Sequence, residues 1–132
     1  MLKGSCCCGK VQFSVEAAPT MMATCHCSRC RKAGASTFVF VAREQFHLLE
    51  GEGSIATYAP EEGYLYARNF CSNCGSALGE MMGAAETFPV PANCFDDPLD
   101  LTVAFHEFVD EKPAWLPICD NAKQFARHPE QP

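Results

Sequence analysis

Ten cysteines stand in a chain of 132 residues, and most of them are grouped. Cys6, Cys7 and Cys8 are consecutive. Cys25, Cys27 and Cys30 form C-x-C-x-x-C, Cys71 and Cys74 form C-x-x-C ahead of Gly75, and Cys94 and Cys119 stand alone. Thiols at such spacings can bond to one another, cycle as a redox pair, or hold a metal ion. Disulfide scaffolds belong to secreted chains, usually under ~80 residues. The stretch from Met1 to Cys6 lacks the apolar core of an export signal. In a reducing cytoplasm the same pattern reads as metal-binding or catalytic. No βαβ pattern surrounds the C-x-x-C pairs, which weighs against a redox pair. The expectation is a cytoplasmic, metal-binding protein, with redox or disulfide use as the alternative.

Two different sites follow from the spacing. Residues i and i+2 of a strand share a face, so Cys6 and Cys8 are expected to point together and Cys7 away. Cys71-Ser72-Asn73-Cys74-Gly75 is a knuckle in which the glycine allows the chain to turn with positive φ. Two sulfurs from each group make a four-thiolate tetrahedron, which zinc takes readily and which leaves no open position. It would clamp residue 8 to residue 71, and in a small domain such a clamp can decide whether the fold exists. The middle group offers three sulfurs, Cys25, Cys27 and Cys30. Three protein ligands leave a fourth position free, the pattern of a catalytic zinc. A free position takes water or a thiol and lowers the pKa of either. Alternatives at this point are a fourth ligand from Cys94, Cys119 or a histidine that closes a second structural site, or one cluster with the remaining thiols unused.

The elements that must position these sulfurs are short. Val11, Phe13 and Val15 alternate with polar residues, a half-buried strand. Met21 to Cys27 reads as extended, Ser28 to Gly34 as one or two helical turns ended by the glycine, and Ser36 to Ala42 as the clearest strand. Glu44 to Gly53 reads as a connection, Ser54 to Tyr58 as a weak strand, Tyr64 to Phe70 as another, and Leu99 to Val109 as the last. Glu80 to Pro91 shows no clear period, and the tail from about 113, with Trp115 and four prolines, reads as irregular. No stretch carries an amphipathic helix of ~12 residues. The expectation is a single mainly-β domain over residues 1–132.

Composition narrows the function classes. Apolar residues make up 48% and charged residues 20%, a globular balance that excludes wholesale disorder. No apolar run approaches the ~18–20 residues of a membrane-spanning helix. The formal net charge of −6 argues against a duplex nucleic-acid binder. All of it lies beyond Tyr66, where four basic residues face ten acidic ones; the first half balances six against six. The basic residues concentrate once, at Arg29, Arg31 and Lys32, beside Cys30. They could pair with the carboxylates of a substrate, arginine doing so bidentately, or form a solvated basic face. His26 is expected to pack or hydrogen-bond rather than ligate, His106 to sit in the core or support the site, and Trp115 to anchor core or rim. His47 and His128 are expected at the surface. Cys7, Cys94 and Cys119 are expected to be buried apolar thiols, and Asp96-Asp97 to make a turn.

Read together, Gly4-Ser5-Cys6-Cys7-Cys8-Gly9-Lys10-Val11-Gln12-Phe13, then Cys25 through Lys32, then Arg68-Asn69-Phe70-Cys71-Ser72-Asn73-Cys74-Gly75-Ser76, resemble the glutathione-dependent formaldehyde-activating enzyme family. Asp96-Asp97-Pro98, His106 and Trp115 extend the resemblance over nearly the whole chain. It implies a β-tent fold of coiled antiparallel sheets of short strands clamped by a structural zinc on Cys6, Cys8, Cys71 and Cys74. It implies a catalytic zinc on Cys25, Cys27 and Cys30, and a carbon–sulfur lyase activity of the S-(hydroxymethyl)glutathione synthase type. The partner so implied is a small thiol such as glutathione, with formaldehyde as the other reactant. A β scaffold does not by itself imply chemistry. A non-catalytic zinc module that binds a protein, and a thiol redox or metal-buffering protein, are therefore the competing readings.

Overall fold

Short runs of β-branched and aromatic residues between Gly, Pro and Ser breaks favour strands that must pair to persist. The computed structural model describes residues 1–129. Its strands are β1 (Leu2–Ser5), β2 (Gln12–Val15), β3 (Met22–Cys25), β4 (Thr37–Ala42), β5 (Phe46–Glu50), β6 (Ile55–Tyr58), β7 (Arg68–Cys71), β8 (Ala77–Gly79), β9 (Thr87–Pro91), β10 (Val103–Glu107) and β11 (Lys123–Gln124). The α-helix among the described residues, α1 (Ser28–Ala33), is a turn and a half between β3 and β4. No helix among these residues is long and apolar enough to cross a membrane.

The strands make three sheets, β1-β2-β5, β6-β7-β8 and β11-β10-β3-β4-β9. The fold is mainly β, and the two smaller sheets are antiparallel throughout. The largest is mixed: β4 runs antiparallel to β3 and β9, whereas β10 runs parallel to β3 and β11. Side-chain alternation has period two in either direction, so sequence patterning cannot reveal this.

The core lies between the β1-β2-β5 sheet and the five-stranded one. Val11, Phe13 and Val15 face Val39, Val41, Phe88 and Val90, all essentially removed from solvent. Phe13 stacks on Phe46 with ring centroids 5.6 Å apart and meets Phe95 edge-on at 5.3 Å. Pro89 and Pro91 are tolerated in β9 because it is an edge strand and few ladder N–H groups are needed there. Gly79 is where the third sheet touches the second. A Cβ at that position would collide with the Pro89 carbonyl oxygen, and its φ of +68° suits glycine.

Several expectations change. Glu44–Gly53 contains β5, whose Phe46 and Leu48 turn inward while His47 and Leu49 turn out. The strand expected from Tyr64 begins only at Arg68, because Gly63 and a Glu61–Tyr64 turn occupy the preceding residues. Among the described residues, the tail beyond 113 is irregular except for β11, which docks on β10. Trp115 is 77% exposed rather than an anchor: Leu116 N–H donates to the Pro113 carbonyl in a surface turn that lifts the indole off the core. Cys7 and Cys119 are exposed, being at a turn tip and in the tail, and Cys94 is buried as expected.

Candidate metal centres

The first cysteine group sits at a tight turn, not on a strand. β1 ends at Ser5, Gly9 N–H donates to the Cys6 carbonyl, and Cys6 N–H donates to the Val11 carbonyl. The turn brings the two sulfurs to 3.6 Å, where strand alternation was expected to do it. The knuckle is built the same way. Gly75 N–H donates to the Cys71 carbonyl at 2.8 Å and Gly75 takes φ +79°. Cys8 and Cys71 sulfurs lie 3.8 Å apart, and the four sulfur atoms of Cys6, Cys8, Cys71 and Cys74 all fall within 4.8 Å of one another. A tetrahedron with Zn–S bonds of ~2.3 Å has edges of about 3.8 Å, so the spacing fits an ion held by all four thiolates. A backbone donor is aimed into the cluster: Val11 N–H points at Cys6 Sγ at 3.3 Å. Cys74 is pulled down to about 5, chiefly by the Ser76 hydroxyl and then by the Ser76 and Cys8 backbone. The two turns belong to different sheets, so this centre ties the β1–β2 turn to the β7–β8 turn.

The second group is assembled where β3 hands over to α1. Cys25 is the last residue of β3, fixed by its N–H to the Ser36 carbonyl at 2.8 Å. Cys27 is the helix N-cap, and its sulfur accepts the Cys30 N–H at 3.3 Å. The helix turn returns Cys30, and the three sulfurs lie within 4.8 Å of one another. Both Nη atoms of Arg68 approach Cys30 Sγ, at 3.6 and 3.7 Å. Cys27 is drawn far below the usual thiol range by hydrogen bonds from Cys25 and then Cys30, while Cys25 is pushed up by the same contacts. The trio therefore favours a thiolate, and three soft donors suit zinc. All ten cysteines are unbridged.

A groove of about 460 Å³ opens beside this trio, between α1 and the β6-β7-β8 sheet. Arg29, Lys32 and Arg68 line it, with Phe38 and Tyr58, and with Glu61 as its one acid among the described residues. Glu61 is engaged by the Tyr58 hydroxyl. Arg29 lies over the Tyr64 ring at 3.9 Å, and its Nη2 is buried without a hydrogen-bond partner among the described residues. Arg31 is exposed and outside the groove's lining. Asp96 and Asp97 fasten the N-terminal strand, accepting from Ser5 Oγ at 2.7 Å and from Lys3 N–H at 2.8 Å.

Arg68 and Glu107 were not singled out by the sequence. Glu107, the end of β10, sits beside Cys25, and burial raises its carboxyl above the usual range. Arg68 opens a strand whose last residue is a cysteine of the other centre, and an arginine two residues before Phe-Cys was the available signal.

Two clusters of thiols on a mainly-β scaffold, one of four sulfurs and one of three beside a cationic groove, define the class: a small protein able to hold metal on cysteine alone. The model of the glutathione-dependent formaldehyde-activating enzyme family matches residues 1–111, and the chain belongs to that family. A curated Halomonas elongata protein, by its name a candidate glutathione-dependent formaldehyde-activating enzyme, is 28% identical over 151 residues, covering 99% of this chain and 90% of its own. A solved Rhodobacter sphaeroides structure shares the fold, with a TM-score of 0.61 at 23% identity over 74% of this chain and 91% of that one.

Proposed function

We propose that this protein is a zinc-dependent carbon–sulfur lyase that makes or breaks a thiol–aldehyde adduct, in the manner of an S-(hydroxymethyl)glutathione synthase. The observation that carries the reading is the contrast between the two clusters. One gathers four sulfurs and fills a tetrahedron; the other gathers three, beside a groove lined by three cations and one acid. Cys6, Cys8, Cys71 and Cys74 would hold the structural ion, and Cys25, Cys27 and Cys30 the catalytic one. Zinc bound at the trio would acidify an incoming thiol at its free position.

The chain's own residues do the rest. Arg29 and Lys32 would meet the carboxylates of a thiol such as glutathione from the groove wall, with Arg31 adding positive field on the same helix. Arg68 spans groove and centre, so it orients the thiol's sulfur relative to Cys30. The aldehyde would lie against the apolar wall around Phe38. In the forward direction the S–H bond is replaced by an S–C bond and the thiol proton ends on the aldehyde oxygen. The sum RSH + H2CO → RSCH2OH balances without an oxidant; the reverse cleaves the C–S bond. Ten free thiols suit the reducing cytoplasm, where we place the protein.

The test is metal analysis followed by exchange spectroscopy of glutathione with formaldehyde. The reading expects two zinc ions per chain and interconversion faster than the uncatalysed reaction. One ion per chain, or no acceleration, overturns it.

A further inference from the structure

His26 stands between Cys25 and Cys27, yet its side chain turns inward and is 3% exposed. Its Nε2 lies 2.8 Å from Nδ1 of His106, and the two rings stack at 5.0 Å. His106, also buried, extends the chain: its Nε2 is 3.1 and 3.0 Å from Oδ1 and Oδ2 of Asp120. A carboxylate only accepts, so His106 Nε2 carries the hydrogen. Its Nδ1 then accepts, and His26 Nε2–H donates to it. Partner chemistry thus assigns one tautomer to each ring.

The backbone agrees with the side chains. β10 runs parallel to β3 with Glu107 opposite Cys25, and His26 N–H donates to the Glu107 carbonyl at 2.9 Å. Ring and backbone of the residue between the two cysteines are therefore both held by β10. Asp120 arrives from the tail, beyond the residues that the family model matches. That tail is fixed on β10: Phe125 N–H donates to the His106 carbonyl at 2.8 Å, Phe108 N–H to the Arg127 carbonyl at 3.0 Å, and Val109 N–H to the Phe125 carbonyl at 3.1 Å.

We propose that Asp120 is a positioning residue for the three-cysteine centre, holding His106 and through it the His26 turn that presents Cys25 and Cys27. It rests on the reading that this trio holds a metal ion. An aspartate–histidine contact whose aspartate is half-exposed to water adds little to global stability. Hydrogen-bond partners behind a metal site, by contrast, govern how firmly its ligands grip. The tail beyond residue 111 thus has a part in the centre.

The experiment uses the full chain loaded with Co(II) and the variants Asp120→Ala, Asp120→Asn and Asp120→Glu. In Asp120→Ala the ion at the three-cysteine centre, identified as the one that Cys30→Ser lacks, passes to a chelator about tenfold faster, and its thiolate-to-cobalt absorption band shifts. The other ion leaves at the wild-type rate, and Asp120→Glu restores both readings. Asp120→Asn keeps the Oδ1 acceptor that Ala122 N–H uses at 3.0 Å and removes the charge and the Oδ2 acceptor facing His106 Nε2, so it reads out the carboxylate's grip on the histidine even where the alanine loosens the tail. Unchanged release and spectrum in the alanine and asparagine variants, or equal loosening of both ions, overturns the proposal. A wild-type chain that binds one cobalt overturns the metal reading itself, and this proposal with it.

Discussion

At the scale of single residues, the two clusters make different demands. Cys30 lies in the first turn of a short helix, and its replacement leaves every sheet ladder in place. Cys30→Ser is therefore expected to lose one zinc per chain and the thiol–aldehyde activity while keeping its circular dichroism and cooperative melting. Arg68 has no such structural burden: its guanidinium faces Cys30 Sγ and the groove. Arg68→Gln should hold both ions yet raise KM for the thiol by about tenfold or more, the scale of one lost charge-assisted contact. A KM equal to wild type removes Arg68 from substrate orientation. Phe13, fully buried between Phe46 and Phe95, carries packing alone. Phe13→Ala is expected to cost about 3–5 kcal/mol in denaturant unfolding.

At the scale of elements, the cysteines were legible and their supports were not. C-x-C, C-x-x-C and the following glycine encode turns, so the grouping of sulfurs followed from spacing alone. The mechanism differed in detail, because Cys6–Cys8 and Cys25–Cys27 converge through a turn and a helix cap rather than along strands. Arg68 reaches Cys30 across 38 positions, and Asp120 reaches His106 on a strand that pairs in parallel with β3. Nothing in local patterning states which strand lies beside which, so such contacts stay hidden. β5 and β9 were obscured for another reason: β5 turns only Phe46 and Leu48 inward from a largely polar stretch, and β9 carries two prolines that only an edge position permits. The close approach of β8 to β9 gives a test of that packing. Gly79→Ala must push the Pro89 carbonyl aside, and should destabilise by more than about 1 kcal/mol in urea titration.

At the scale of the whole molecule, three small sheets share one core and are riveted by the four-cysteine centre. Cys74→Ser should therefore remove cooperative unfolding, because the β1–β2 turn loses its hold on the β7–β8 turn. Acid should loosen the same joint. Cys74 is depressed from 9.0 to about 5 in the folded chain, so its contribution is full above 9, shrinks as pH falls, and is gone below about 5. Zinc release to a chromophoric chelator should accordingly rise as the pH is lowered from about 8 to about 5. Release that is flat across that range contradicts the assignment.

β7 is four residues long and touches both clusters: Arg68 at its start meets Cys30, and Cys71 at its end belongs to the four-sulfur group. Filling is then expected to be sequential. Until the first ion seats Cys71, the strand that carries Arg68 has no fixed origin, and the second cluster lacks one of its walls. Stepwise addition of Co(II) to stripped protein should saturate the four-thiolate spectrum before the three-thiolate one rises.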